Sequence, residues 1–448
     1  MSVRKRKTKQ KNPKTIKKNI KKQAKNQQKK EVSKVDQSKK YRSKFGHEMM
    51  LRGALLDEES KTPGKGILNL FQFVLVLLML DKVVTNYFEK KPLIDLTLFK
   101  FFTHGMHIII FTSFCMGFWT VSVYFLTKLI AKKKISVTFG HVLYGIYQFF
   151  LFVVPGYLVY MKYFPPFGGL YTSMQMAVFS MKSHSYYWTN IYLKSGKKEH
   201  EVVKYPDNII FKEFVLYLFY PTLVYEPVFP KKPTRSYYNI AKYFWVMFVS
   251  ISATYMNINY HIFPILKQTL TYNFFRAILK LSVPYIVGWI TVFYGVFHGM
   301  FNFVAEIFKF GDRQFYSDWW NAKSFQEWWG KWNYPVHEWF FRSIYIRFIN
   351  DFKWPKNFSM LFVFLITALW HEFVVAMTCG FLRPWLSASI FLQLGLFYLT
   401  KFRFVQEHSI GNLIVWFSLS VGQPIVYLAY MWSYYSQNPD RIPQTSDL

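Results

Sequence analysis

The run MLFVFLITALWHEFVVAMTCGFL, from Met360 to Leu382, constrains the chain more than any other stretch. It is apolar or small over enough residues to cross a bilayer, which takes about 20. His371 and Glu372 interrupt it at the middle. A charge at that depth costs about 2.5–3.5 kcal/mol on insertion scales, so such residues face a protein interior or a water-filled cavity. The pair is therefore either functional or packed by hydrogen bonds against a neighbouring helix. The rest of the chain has to decide.

Similar runs recur, and with 52% apolar and 21% aromatic residues the composition excludes an ordinary soluble domain. The expected fold is all-α: a polytopic membrane protein with about nine transmembrane helices. They fall near 66–87, 107–131, 138–161, 165–182, 238–257, 278–307, 358–379, 384–402 and 412–434. Only Cys115 and Cys379 are present, both in apolar runs, which rules out a disulfide framework and a cysteine-based zinc site. The motifs GxxxxGK[ST] and HExxH are absent, and His107, His298 and His337 are not spaced as metal ligands. His298, in VFYGVFHGMFNF, is explained by packing.

The formal net charge of +32 is concentrated at one end. Residues 1–46 hold 19 Lys and Arg against Glu31 and Asp36, with almost nothing apolar to bury. Residues 1–60 therefore read as a disordered basic tail beside anionic cytoplasmic lipid, not as a nucleic-acid arm. No apolar segment with a cleavage site follows the charges, as a signal peptide would need. Placing the tail in the cytoplasm puts Lys132–Lys134, 183–237, 308–357, Lys401 and Arg403 on the same side. Residues 436–448 then form a short luminal tail, and 61–435 the membrane domain. Only 88–106, with Lys90, Lys91 and Lys100, disagrees.

Two cytoplasmic connections carry more than a linker needs. IIFKEFVLYLFYPTLVYEPVFP reads as a surface or re-entrant segment, with a tenth span as the alternative. Within 308–357, FGDRQFYSDWWNAKS places Asp318, Trp319, Trp320 and Asn321 in succession. Phe325, Trp328, Trp329, Trp332, Val336, Trp339 and Phe340 then follow at helical spacing, and Pro335 should kink or divide that helix. By itself this is an amphipathic helix in the headgroup region, with Lys323, Lys331, Arg342 and Arg347 available to phosphates.

FYSDWWN (Phe315–Asn321) followed by an intramembrane WHE resembles the membrane-bound O-acyltransferases, in the branch that acylates sterols and diacylglycerol. The likeness runs from about Met181 to Tyr435 and includes PTLVYEPVFP, LKLSVP, FGDR, WNYPVHEW and GNLIVWFSLSVGQP. FGDRQFYSDWWNAKS, LKLSVP and the GQP at Gly422–Pro424 resemble the diacylglycerol enzymes, whereas MKSHS at Met181–Ser185 resembles the sterol enzymes. Glu338 and Ser343 depart from the Lys and His common in the family, and a carboxylate at Glu338 cannot pair with phosphate.

The resemblance implies an acyl-CoA-dependent O-acyltransferase that makes triacylglycerol from diacylglycerol, or steryl esters from a sterol. It implies a membrane-buried chamber with His371 as general base and Asn321 near the thioester. Histidine suits that role because a neutral ring accepts a proton near pH 7. Glu372, Asp318 and Trp320 take supporting roles. Trp319, Trp332, Asn333, His337, Arg342 and Tyr345 are expected to contact acyl-CoA. Gln423 and Gln393 either contact the acyl acceptor or bond helix to helix. No metal or further cofactor is expected, since the thioester brings its own activation. The resemblance also implies a homodimer or homotetramer in the endoplasmic reticulum. A transporter or an inactive scaffold would share the intramembrane polar residues but leave the cytoplasmic Trp motif without a purpose.

Overall fold

The computed structural model describes residues 65–437, apart from 97–98, 100–102, 104, 162, 165, 197–202, 269–272 and 408–409. The expected basic tail 1–60 lies outside the described residues, as does nearly all of 436–448.

Each of the nine expected segments is a helix. In order they are α1 (Lys65–Phe88), α2 (Met106–Ala131), α3 (Val137–Tyr160), α4 (Pro166–Lys194), α6 (237–267), α7 (Phe274–Ile307), α10 (Lys356–Cys379), α11 (Trp385–Leu399) and α13 (Ile410–Gln437). Between them lie the short helices α5 (Phe211–Phe219), α8 (Phe325–Lys331), α9 (334–350) and α12 (Arg403–Glu407). Six of the nine are long and apolar enough to cross a membrane: α1, α2, α3, α7, α10 and α13. The other three differ for local reasons. α11 has 15 residues and spans about 22 Å, short of a hydrocarbon core of about 30 Å. α4 runs 12 residues past its expected end through the polar KSHSYYWTNIYLK, and α6 carries Asn239, Lys242, Asn257 and Asn259.

Side-chain caps open several elements. Ser136 accepts from Phe139 N at the start of α3, and Ser236 from Asn239 N at the start of α6. Gly380, at φ 77°, ends α10 in the left-handed conformation open to glycine, and the chain turns at once into α11. α4 packs on α2, α3 and α10, α6 on α1 and α7, and α10 on α9 and α11. α13 closes the bundle against α7 and α11. A single aromatic-rich core joins α2–α5, α7, α8, α11, α13 and the loop 308–324.

The two connections also settle. The apolar run after residue 208 forms the nine-residue α5 and then irregular chain from Pro221, not a tenth span. Pro335 divides the expected amphipathic helix: α8 ends at Lys331, and α9 begins with Pro335 in its first turn. Its aromatic face does not lie in headgroups. Phe325, Trp328 and Trp339 are buried, with Trp328 stacked on Trp332 at 5.3 Å.

Candidate active site

The FYSDWWN stretch is a loop ending in one 3₁₀ turn, Trp319–Asn321, and its aromatic residues hold it to the helices. Trp319 is buried, edge-on to Trp289 and Phe293 of α7 at 5.0 Å and against Trp416 of α13 at 5.6 Å. Trp332 reaches the same α7 surface, 5.8 Å from Phe297 and 6.1 Å from Trp289. Asp318 pairs with Lys331 at 3.2 Å, so it braces the loop. Asn321 is exposed, and Trp320 is half-buried.

Three more residues position this loop: Gly411 and Asn412, to which sequence reasoning gave no role, and His298, to which it gave only packing. Asn412, at the start of α13, donates from its amide nitrogen to Trp320 O and Ala322 O, both at 2.9 Å. Its neighbour Gly411 sits where a Cβ would lie 1.8 Å from Lys323 O, so only glycine permits the approach. His298 is buried in a π-helical turn of α7, Tyr294–Met300, with Nδ1 2.9 Å from the hydroxyl of Tyr316 in the motif. The GNL triplet and a mid-helix His were visible signals, but only the fold aims them at the loop.

His371 lies 15 residues into α10, about 22 Å along its axis, which is deep in a bilayer core. Its Nδ1 is 2.7 Å from the Thr367 carbonyl. A carbonyl only accepts, so Nδ1 carries the proton and Nε2 keeps a lone pair in the neutral ring. The side chain is accessible. Glu372 points the other way and is buried: Oε2 accepts from Ser387 N and Oγ at 3.0 Å, and Oε1 from the Tyr430 hydroxyl at 2.5 Å. It ties α10 to the first turn of α11 and to α13.

The remaining predicted residues divide in the same way. Asn333 caps α9 by accepting from Val336 N at 3.3 Å. His337 and Tyr345 flank Phe341 with parallel rings at 6.2 and 5.7 Å. Burial pushes the His337 imidazole below its ordinary range, against the pull of Glu338, so the ring is neutral at pH 7. Its Nδ1 is buried without a protein partner. Arg342 is held between Glu226 at 2.5 Å and Glu338 at 2.9 Å. Burial works against its charge, yet the two carboxylates outweigh burial and raise its pKa. Gln423 accepts from the Tyr285 hydroxyl at 2.9 Å, a bond between α13 and α7. Gln393 is buried with Oε1 unpartnered. No hydrogen bond or ring contact joins Asn321 to His371 among the described residues. No group of three His, Cys, Asp or Glu among them could hold a metal ion.

The site is thus a mid-helix His on α10 and a Trp-anchored loop held against α7 and α13 of an all-helical bundle. The membrane-bound O-acyltransferase family model matches residues 167–432, more than half of the chain. The chain belongs to that family and is a polytopic, all-α membrane protein. It is similar to diacylglycerol O-acyltransferase 1 of Dictyostelium discoideum, with 28% identity over 87% of this chain and 66% of the relative. It is 36% identical to diacylglycerol O-acyltransferase 1A of Glycine max over 50% of this chain and 47% of the relative. For human diacylglycerol O-acyltransferase 1 the identity is 32%, over 61% and 59%. The matches thus cover between about half and two thirds of these relatives' lengths.

Proposed function

We propose that the chain transfers a fatty acyl group from acyl-CoA to the free hydroxyl of diacylglycerol. The observation that carries this is the His371–Thr367 bond, which leaves Nε2 as the accepting nitrogen on an accessible ring. A hydroxyl is a poor nucleophile near pH 7, so it needs a base within hydrogen-bond reach. His371 Nε2 takes the hydroxyl proton as the oxygen attacks the thioester carbonyl. The tetrahedral oxyanion is met by an amide donor, the role proposed for Asn321, and collapses with loss of the CoA thiolate, which takes up a proton. No metal or further cofactor enters these steps.

Diacylglycerol is favoured over a sterol by the relatives' names, although MKSHS resembles the sterol enzymes. Lys182 of that stretch is buried, with its ammonium donating to the Tyr217 and Tyr220 carbonyls at 2.8 and 2.7 Å. That contact caps the end of α5, a structural role for Lys182. In this reading 61–435 forms the acyltransferase domain, the N-terminus and the 308–357 loop are cytoplasmic, and the membrane is the endoplasmic reticulum. The working unit is a homodimer or homotetramer, and acceptor and acyl chain meet in a buried chamber reached from the cytoplasmic loop.

The test incubates membranes carrying the chain, or its His371→Ala variant, with labelled acyl-CoA and a choice of acceptors. Labelled triacylglycerol that disappears in the variant is expected. Steryl ester or wax ester would replace the acceptor, and no acyl transfer would leave a transporter or scaffold.

A further inference from the structure

α11 is too short to carry its far end into water. It spans about 22 Å against a hydrocarbon core of about 30 Å, and any tilt shortens it further. Trp385 opens the helix with its ring exposed, and Lys401, Phe402, Arg403 and Phe404 follow the other end. With Trp385 at one membrane interface, the KFRF stretch is drawn into the headgroup layer of the other. Phe402 and Phe404 are 65% and 63% exposed, which water disfavours and a bilayer does not. The short α12 packs on α13, whose Leu413 and Phe417 are as exposed.

Lysines are interleaved with these rings. The ammonium of Lys401 lies 4.2 Å from the ring centre of Phe397, and the side chain stays exposed. Lys323, also exposed, is brought to the same end of the bundle by the contacts that seat the motif loop. Phe325 N donates to Thr400 Oγ1 at 3.3 Å, and the Lys323 carbonyl abuts Gly411 at the start of α13. Among the described residues no carboxylate oxygen comes within 4.0 Å of either ammonium. Glu327, four residues on, accepts instead from the backbone N of Lys323 at 2.8 Å.

Aromatic rings that enter the acyl boundary, with ammonium groups beside them, suit the surface of an anionic leaflet. The charge pattern assigns this end of the bundle to the cytoplasmic side, where such lipid lies. We propose that Lys401–Val405, with Lys323 beside it, is an interfacial anchor for anionic phospholipid. A soluble protein partner fits less well, because the same rings sit at bilayer depth. Thr400 and Gly411 join the anchor directly to the motif loop, so lipid held there fixes the depth of that loop in the membrane.

The test places the full chain in phosphatidylcholine nanodiscs that contain phosphatidylserine with a photoreactive headgroup, and maps the labelled peptides by mass spectrometry. A phosphatidylcholine carrying the same photoreactive group is the reference. Segments 321–325 and 400–405 should take the phosphatidylserine label preferentially. A lysine near an anionic surface is worth about fivefold, so Lys323→Gln with Lys401→Gln should cut that labelling tenfold or more. Label on residues 1–60 should stay unchanged and serves as the internal control. Phe402→Ser with Phe404→Ser should lower labelling by both lipids alike. Equal labelling by the two lipids, or an undiminished preference in a lysine variant that melts like wild type, would overturn the anchor. So would a lysine variant that changes oligomeric state while its labelling holds, since the surface would then be a contact between copies. Should the double lysine variant not fold, Lys401→Gln alone decides. Acyl transfer plays no part in the readout, so failure of the proposed reaction leaves this test standing.

Discussion

The imidazole of His371 donates from Nδ1 to the carbonyl of Thr367, one turn back on α10, at 2.7 Å. That bond selects the tautomer, and Nε2 becomes the only place on the ring that can accept a proton. Replacing His371 with alanine should lower acyl-transfer turnover by roughly 10²–10⁴. The ring is accessible and makes one hydrogen bond, so the unfolding temperature should barely move. Turnover against acyl-CoA and a thermal melt of the same preparation check both halves. A folded variant that works at the wild-type rate removes His371 from the reaction.

Glu372, its neighbour, should behave in the opposite way. Its carboxylate satisfies Ser387 N and Oγ on α11 and the Tyr430 hydroxyl on α13. Glu372→Ala leaves those donors without their acceptor in a buried site, at about 1–3 kcal/mol each before relaxation. Tyr430→Phe removes one bond and should cost about 1 kcal/mol. Activity should follow the folded fraction in both. A Glu372→Ala protein that melts like wild type but has lost turnover would move Glu372 into the chemistry.

This pair shows how far the chain could be read before its fold. The long apolar runs fix nine helices because period and length are local properties, and a seven-residue Trp motif with a following WHE narrows the family. The partners of those residues are not local. Glu372 meets Tyr430 across 58 positions, and Asn412 reaches Trp320 across 92. Four π-helical turns, at Ile258–Ile262, Tyr294–Met300, Phe341–Tyr345 and Ser418–Gly422, shift the register on which His298, Arg342 and Gln423 project. No hydrophobic period signals such a turn. The aromatic face of 325–340 packs inward at Phe325, Trp328 and Trp339, and a Trp-rich stripe looks the same in sequence whether it meets headgroups or a protein core.

Gly411 and Asn412 hold the motif loop to α13, which makes both sensitive without touching substrate. A Cβ at Gly411 would lie 1.8 Å from the Lys323 carbonyl oxygen, so Gly411→Ala must push the loop and helix apart. Misplacement by about 1 Å can cost roughly a hundredfold in rate. Asn412→Ala instead unpairs the Trp320 and Ala322 carbonyls. Turnover should fall in both variants, more in Gly411→Ala, and tryptophan fluorescence should report the shift of Trp319 and Trp320. Wild-type turnover in Gly411→Ala would show that the loop's placement is immaterial.

Arg342 holds its charge inside the protein. Its guanidinium is 9% exposed and bonded to Glu226 and Glu338, themselves 19% and 10% exposed. Removing one partner of such a cluster strands charges of one sign and costs about 3–5 kcal/mol. Arg342→Met should therefore lower stability strongly, and Glu338→Lys should do the same by setting a second cation beside the first. In the fraction that folds, the KM for acyl-CoA should stay near the wild-type value, because the Arg342 charge is spent inside the protein. Melting curves with KM measured on the same material separate the cases. An Arg342→Met protein of wild-type stability with a raised KM would make Arg342 a donor contact and the carboxylates its positioning partners.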